Sequence, residues 1–204
     1  DLHSFPTRRS SDLQSCEYGS GGHEIGRKIA KLLDIPFYDR NLLDEIADAK
    51  NVDAKKLEKY DEAPSRMFLS RTVRGFSNSP SVNVAEMQFD LLREKAAAGE
   101  SFVIVGRCSE DLFKEVKGLF SVFILGDYET KLDRVMERRS LSAKEAALAI
   151  ERHDRNRKAY HNHFCNGKWG DSRNYDMCIN SSRLGVDGTV EYLKDYVDRF
   201  IKTL

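Results

Sequence analysis

Tyr18-Gly19-Ser20-Gly21-Gly22-His23-Glu24-Ile25-Gly26 is the stretch on which the reading of this chain turns. Three glycines and a serine in four positions leave little side-chain bulk. Such a loop can take positive φ and turn successive N–H groups toward a ligand. Ile25, Ile29, Leu32 and Leu33 follow at helical spacing, so the glycines open a helix. A helix N-terminus offers N–H donors and partial positive charge, which suits a phosphate. The same glycines also fit an ordinary turn between two elements. A full phosphate-binding loop places Lys and then Ser or Thr after its last glycine; here the glycines are followed by His23 and Glu24.

Composition narrows the setting. With 204 residues the chain is long enough for one domain with a real core and a small inserted lobe. Lys plus Arg equals Asp plus Glu at 33 each, so no global field points to nucleic acid or to a membrane surface. No apolar run approaches the roughly 20 residues needed to span a bilayer. Cys16, Cys108, Cys165 and Cys178 form no C-x-x-C pair, which fits a reducing cytosol better than a disulfide framework. The expectation is a cytoplasmic protein. Residues 1–13, DLHSFPTRRSSDL, show no clear periodicity and read as a non-native N-terminal extension, leaving 14–204 as the domain. That leaves Leu13 to Tyr18 to supply the strand before the loop, and Gln14, Ser15 and Glu17 make it a poor one.

Beyond the loop, strand and helix signals alternate. Ile35 to Asp39 reads as a short strand ending in a carboxylate, followed by a helix holding Leu42, Leu43 and Ile46. Asn51 to Pro80 is charged and broken by Pro64, Gly75 and Pro80. Val84, Met87, Leu91 and Leu92 mark an amphipathic helix that stops at Gly99. Phe102 to Val105 and Leu119 to Leu125 are continuous apolar runs, as buried parallel strands should be. Leu132, Val135 and Met136 mark another helix, and Ser142-x-x-Glu145 is a capping box opening the next. Tyr175 to Asn180 reads as a last strand, and Val190, Leu193, Val197, Phe200 and Ile201 as a closing helix. The fold class is α/β, a parallel sheet flanked by helices.

In such a sheet ligands bind beyond the carboxyl ends of the strands. The glycine loop, Asp39 and Arg107 all stand there. Arg107 either pairs with a carboxylate or presents its planar fork of donors to a phosphate. In the segment from Glu151 to Arg157, Arg152 and Arg155 share one helix face, with Asp154 between them. The segment is either a solvated face or a cationic clamp for phosphoryl transfer, where catalysis is mostly positioning and charge stabilisation. His161-x-His163 with Cys165 has no second ligand pair at a suitable spacing, and no metal site is expected there.

GSGG-x-E-I-G, IPFYD, VIVGR, D-R-N-R near K-W-G-D, and INSSRLG-x-x-G-T-V, in this order, resemble the cytidylate kinase-like family, a branch of the P-loop nucleoside monophosphate kinases. The resemblance runs from Glu17 to Leu204. It implies a P-loop kinase fold, a substrate-binding lobe over about 40–99 and a helical lid over about 140–165. It also implies ATP and Mg²⁺ as cofactors and nucleotide substrates as partners. Gly19, Ser20, Gly21, Gly22, His23 and Glu24 would then hold the donor phosphates. Asp39, Arg40 and Arg107 would lie near the acceptor, and Arg152, Arg155 and Arg157 would clamp the transferring group, with Asp154 orienting one of those arginines or the nucleotide. Cys16 and His23 stand where that family carries arginines, and Glu24 where a P-loop carries Ser or Thr. Three functions fit: phosphoryl transfer from ATP to a CMP-like acceptor, a nucleotide-binding or regulatory module with little turnover, or a kinase for another small acceptor. The sequence says nothing of oligomeric state.

Overall fold

The computed structural model describes residues 12–39, 41–50, 53–61, 72–73, 76–77 and 79–204. Arg40 lies outside them, as do residues 1–11 and much of the charged segment between 51 and 78. The elements run β1 (Asp12–Cys16), α1 (Gly22–Leu33), β2 (Phe37–Tyr38), α2 (Leu42–Lys50), α3 (Ala54–Glu58), β3 (Thr72–Val73), β4 (Phe76–Ser77) and α4 (Pro80–Ala97). They continue with β5 (Val103–Ile104), α5 (Ser109–Leu112), β6 (Ser121–Leu125), α6 (Tyr128–Arg139), α7 (Ala143–Phe164), β7 (Met177–Asn180) and α8 (Ser181–Ile201).

β1, β6 and β7 pair in parallel in the order β1-β6-β7, and β2 pairs in parallel with β5. The two ribbons meet where β5 runs beside β1. β3 and β4 form a separate antiparallel hairpin. The poor first strand therefore forms, as a parallel partner of the apolar β6. Its register is irregular between Asp12 and Ser15, and it takes Asp12 and Leu13 into the sheet.

Successive residues of a strand face opposite ways, and β5 shows both faces covered. Val103 belongs to the main core, with Ile25 and Ile29 of α1, Val122 and Ile124 of β6, and Leu193 and Val197 of α8. Phe102 and Ile104 point into a second core with Tyr38, Leu42, Leu92 and Phe113. Parallel strands buried on both faces need continuous apolar sequence, which is what these runs supply.

Local signals set several helix ends. Pro80 opens α4 at its first turn, where a missing N–H costs nothing, instead of breaking the segment. Ser142 and Glu145 form the capping box in full, each side chain bonded to the other's backbone N–H. The 22 residues of α7 make the Arg152–Arg157 segment the middle of one continuous helix. Among the described residues, no helix is long and apolar enough to cross a membrane.

Candidate active site

The glycine loop joins β1 to α1 across a narrow gap. Gly19 and Gly21 have φ of +87° and +85°, in the left-handed region that favours glycine. A Cβ on Gly22 would come within 2.4 Å of the Cys16 Cβ, so only hydrogen fits between loop and strand. α1 starts with Gly21 as its N-cap and no side-chain cap, so its first-turn amides face the loop. That is the arrangement of a backbone cradle for an anion at a helix N-terminus.

Distant side chains hold the loop in place. Ser181, in the INSS motif, donates its hydroxyl to the carbonyl of Ser20 at 2.5 Å. Arg134 of α6 donates to the carbonyl of Gly19 at 2.7 Å. Lys131, one turn earlier, bonds Glu17 at 2.9 Å and lies 3.7 Å from Asp154. From α7, Asp154 accepts the Tyr18 N–H at 2.6 Å, and Arg157 donates to the Cys16 carbonyl at 2.6 Å. The His153 ring stacks on Tyr18 with centroids 4.1 Å apart. Burial lifts the Asp154 carboxyl above the usual range, against the downward pull of the Tyr18 N–H and Lys131.

His23 and Asp39 meet directly, with Nε2 and Oδ2 2.5 Å apart. The hydrogen bond from His23 holds the Asp39 carboxyl below its ordinary range; the Asn41 N–H and the charge of Arg107 act in the same direction, against burial. The structure thus joins a residue assigned to the phosphate loop with one assigned to the acceptor. Arg107 has φ +81° and lies buried at the end of β5. Its guanidinium forks onto Asp61, at 2.7 and 3.0 Å, and Gln88 donates to the same carboxylate at 3.2 Å. Glu24 is turned to Lys28, 3.1 Å away.

The other sequence-assigned residues separate into two groups. Asp154 reaches the loop backbone and Arg157 the end of β1 beneath it. Arg152 is exposed, and Arg155 pairs with Glu151 at 3.1 Å on the outer side of the helix. Arg155, Asp154 and Lys158 line an open cavity of about 520 Å³ with Tyr128, Leu148 and Trp169. A smaller cavity of about 40 Å³ lies over the ends of β1 and β5, bounded by Cys16, Arg107, Arg157, Tyr160 and Trp169. Sequence reasoning missed Lys131, Arg134, Glu17 and Asp61. The signal for the first two was present: cations three residues apart on the helix that follows the most apolar strand.

Comparison with known proteins agrees with this architecture. The profile of the cytidylate kinase-like family matches residues 15–183. An uncharacterized protein from Eubacterium ventriosum is 36% identical, with a TM-score of 0.74 over 93% of this chain and 99% of that one. Shikimate kinase from Bacteroides thetaiotaomicron is 13% identical, with a TM-score of 0.53 over 93% of this chain and 98% of that one. A gluconokinase from Sinorhizobium meliloti is 14% identical, with a TM-score of 0.52 over 98% and 97%. At those identities the last two show the fold alone. No curated protein matches the chain significantly. The glycine loop on a parallel sheet flanked by helices is that of a P-loop kinase fold, and the chain belongs to the cytidylate kinase-like family.

Proposed function

We propose that this protein transfers the γ-phosphoryl group of ATP to a nucleoside monophosphate such as CMP. The observation that carries the reading is the Gly19–Gly22 cradle, open to the first-turn amides of α1, held by a cation from α6 and with one from α7 on the strand end beneath it. Acceptor binding falls to the neighbouring strand ends, where Asp39 and Arg107 stand. The segment around 40–99 serves as the acceptor lobe and α7 as the lid.

The chemistry asked of the protein is modest. An acceptor phosphate oxygen attacks the γ-phosphorus, the bond to the bridging oxygen breaks, and ADP leaves. Loop amides position the donor phosphates, and nearby guanidinium groups offset the charge spread over the equatorial oxygens. Arg155 and Lys158 supply further cations as the lid settles, and the closed helix excludes water. Mg²⁺ would arrive on the phosphates, keeping several water ligands, since Glu24 is engaged by Lys28. When bound it would screen the donor charge.

A second reading has its own support. His23 is committed to Asp39, Asp154 to the loop backbone and Arg157 to the end of β1, which is the pattern of a nucleotide-binding module with little turnover. A third, phosphorylation of another small acceptor, follows because one fold serves many substrates; shikimate and gluconate therefore belong in the panel.

ATP-binding calorimetry beside ADP-release assays over these acceptors separates the readings. Turnover greatest with CMP is expected. ATP binding without turnover on any acceptor selects the module, and turnover on shikimate or gluconate selects the third. His23→Arg tests the cradle itself. A charge-assisted hydrogen bond contributes roughly 1.5–3 kcal/mol, so the variant should bind ATP about tenfold more tightly or better. An unchanged affinity would remove the loop as the phosphate site.

A further inference from the structure

At the C-terminal end of α7, side chains with metal-binding chemistry converge from two separate segments. Glu110 of α5 and His161 of α7 are buried and hydrogen-bonded through Oε1 and Nε2. Cys165 caps α7, its N–H bonded to the His161 carbonyl at 2.8 Å, so the two side chains lie one turn apart. The ligand atoms of Glu110, His161 and Cys165 all fall within 4.8 Å of one another. Cys108, buried two residues before Glu110, packs in the same cluster as Cys165.

We propose that Glu110, His161 and Cys165 form a structural site for a zinc ion, with Cys108 placed to supply the fourth donor. Imidazole, thiolate and carboxylate are the donor set zinc takes, in tetrahedral geometry with bonds of about 2.0–2.3 Å. The His161–Glu110 contact has to open slightly and Cys165 to close in, movements within side-chain rotation.

The groups behind the ligands are arranged for the same purpose. Asn162 Oδ1 accepts the Trp169 N–H at 2.9 Å, which fixes its amide with oxygen toward His161. That oxygen lies 3.3 Å from Nδ1, so Nδ1 carries a proton and Nε2 is the atom aimed at the cluster. A ligating histidine is oriented in this way, by a hydrogen bond at its other nitrogen. The Tyr175 hydroxyl stands 3.5 Å from the Glu110 oxygen and steadies the carboxylate. A buried carboxylate–imidazole bond alone would account for Glu110 and His161, but not for the Cys165 thiol gathered within the same 4.8 Å cluster. Zinc replaces the proton between Nε2 and Oε1 and those of the Cys165 and Cys108 thiols, all three of which pass to solvent.

The site joins α7 to α5, three residues beyond Arg107. It would pin the base of the proposed lid helix to the strand end where the acceptor is proposed to bind. Sequence spacing hides it, because Cys108 and Glu110 lie 51 or more residues from His161.

The test uses the full chain, kept reduced, stripped with a chelator and titrated with Co²⁺ and then Zn²⁺. One equivalent of Co²⁺ with a thiolate-to-cobalt charge-transfer band and tetrahedral visible bands is expected, displaced by Zn²⁺. Cys165→Ser should abolish the charge-transfer band or weaken it strongly, and Glu110→Gln should lower affinity at least tenfold. Asn162→Ala leaves every ligand in place and should weaken binding about 10–100-fold, which keeps the test decisive if a ligand variant fails to fold. No cobalt–thiolate band in the wild type, or a band unchanged in both Cys165→Ser and Asn162→Ala, overturns the proposal.

Discussion

The Arg107 guanidinium and the Asp61 carboxylate meet where water barely enters, with side chains 2% and 5% exposed. From sequence, Arg107 could equally pair or grip a phosphate, and the structure shows a pairing partner. Asp61 was not legible because it lies 46 residues away in a segment that reads as charged and coreless. Truncating one partner of a buried pair strands the other charge, which typically costs about 3–5 kcal/mol, whereas an apolar pair of similar volume is often neutral. Arg107→Ala should therefore destabilise the protein by about that amount in urea unfolding. Arg107→Met combined with Asp61→Leu should recover most of it; a double variant as unstable as the single would mean that Arg107 acts through other partners. Asp39 gives a pH prediction of definite sign. Its carboxyl is held down by His23, so the unfolded chain takes up the proton first. The stability it contributes is present above about pH 3.9, its ordinary value, and is lost as pH falls through the lower folded value. Asp39→Asn should flatten that acid limb of the urea midpoint.

Elements were legible where their signals are local. The capping box, the proline at the start of α4 and the glycines before α1 depend on contacts within a few residues, and each stands where such signals put it. Strand lengths were less legible, because a strand is defined by a partner elsewhere. The five-residue run Ile35–Asp39 and the four-residue run Phe102–Val105 contract to two residues each. Their pairing continues into the flanks as single bonds, Val103 N–H to Pro36 O and Val105 N–H to Tyr38 O. The junction of β1 with α1 is the tightest point of the architecture, since Gly22 touches Cys16 where any Cβ would overlap. Both partners are backbone-anchored, so neither can swing away. Overpacking of this kind costs about 1–3 kcal/mol, and in a chain this size each kcal/mol moves the thermal midpoint by roughly 2–4 °C. Gly22→Ala should lower the melting temperature by several degrees and weaken ATP binding with it. A normal melting curve would show that strand and helix can part without cost.

At the scale of the molecule, the site is assembled from ends of the chain that sequence reading treats separately. Glu17, Gly19, Tyr18 and Cys16 are bonded by Lys131, Arg134, Asp154 and Arg157, partners 114 to 141 residues away. The order of motifs therefore revealed the family and the fold, while the contacts that hold the loop became visible only once α6 and α7 were packed beside it. The same packing gives β1 a central place, beside β5 and paired with β6, although its sequence is the least strand-like of the parallel set. Asp is among the residues strands disfavour, and the register of β1 is irregular just after Asp12. An edge strand could carry such a residue at little cost, whereas a central one gives up regular pairing. Replacing Asp12 and Leu13 with Val and Ile, in line with β6, should regularise that end of the ladder. Strand propensities span about 1 kcal/mol, so the thermal midpoint should rise by roughly 2–4 °C with the same far-ultraviolet circular dichroism. ATP affinity should stay unchanged, because the loop begins beyond Cys16 and its anchors lie on α6, α7 and α8. An unchanged midpoint would place the stability of the sheet in β6 and its partners alone, with the first residues of β1 contributing nothing to it.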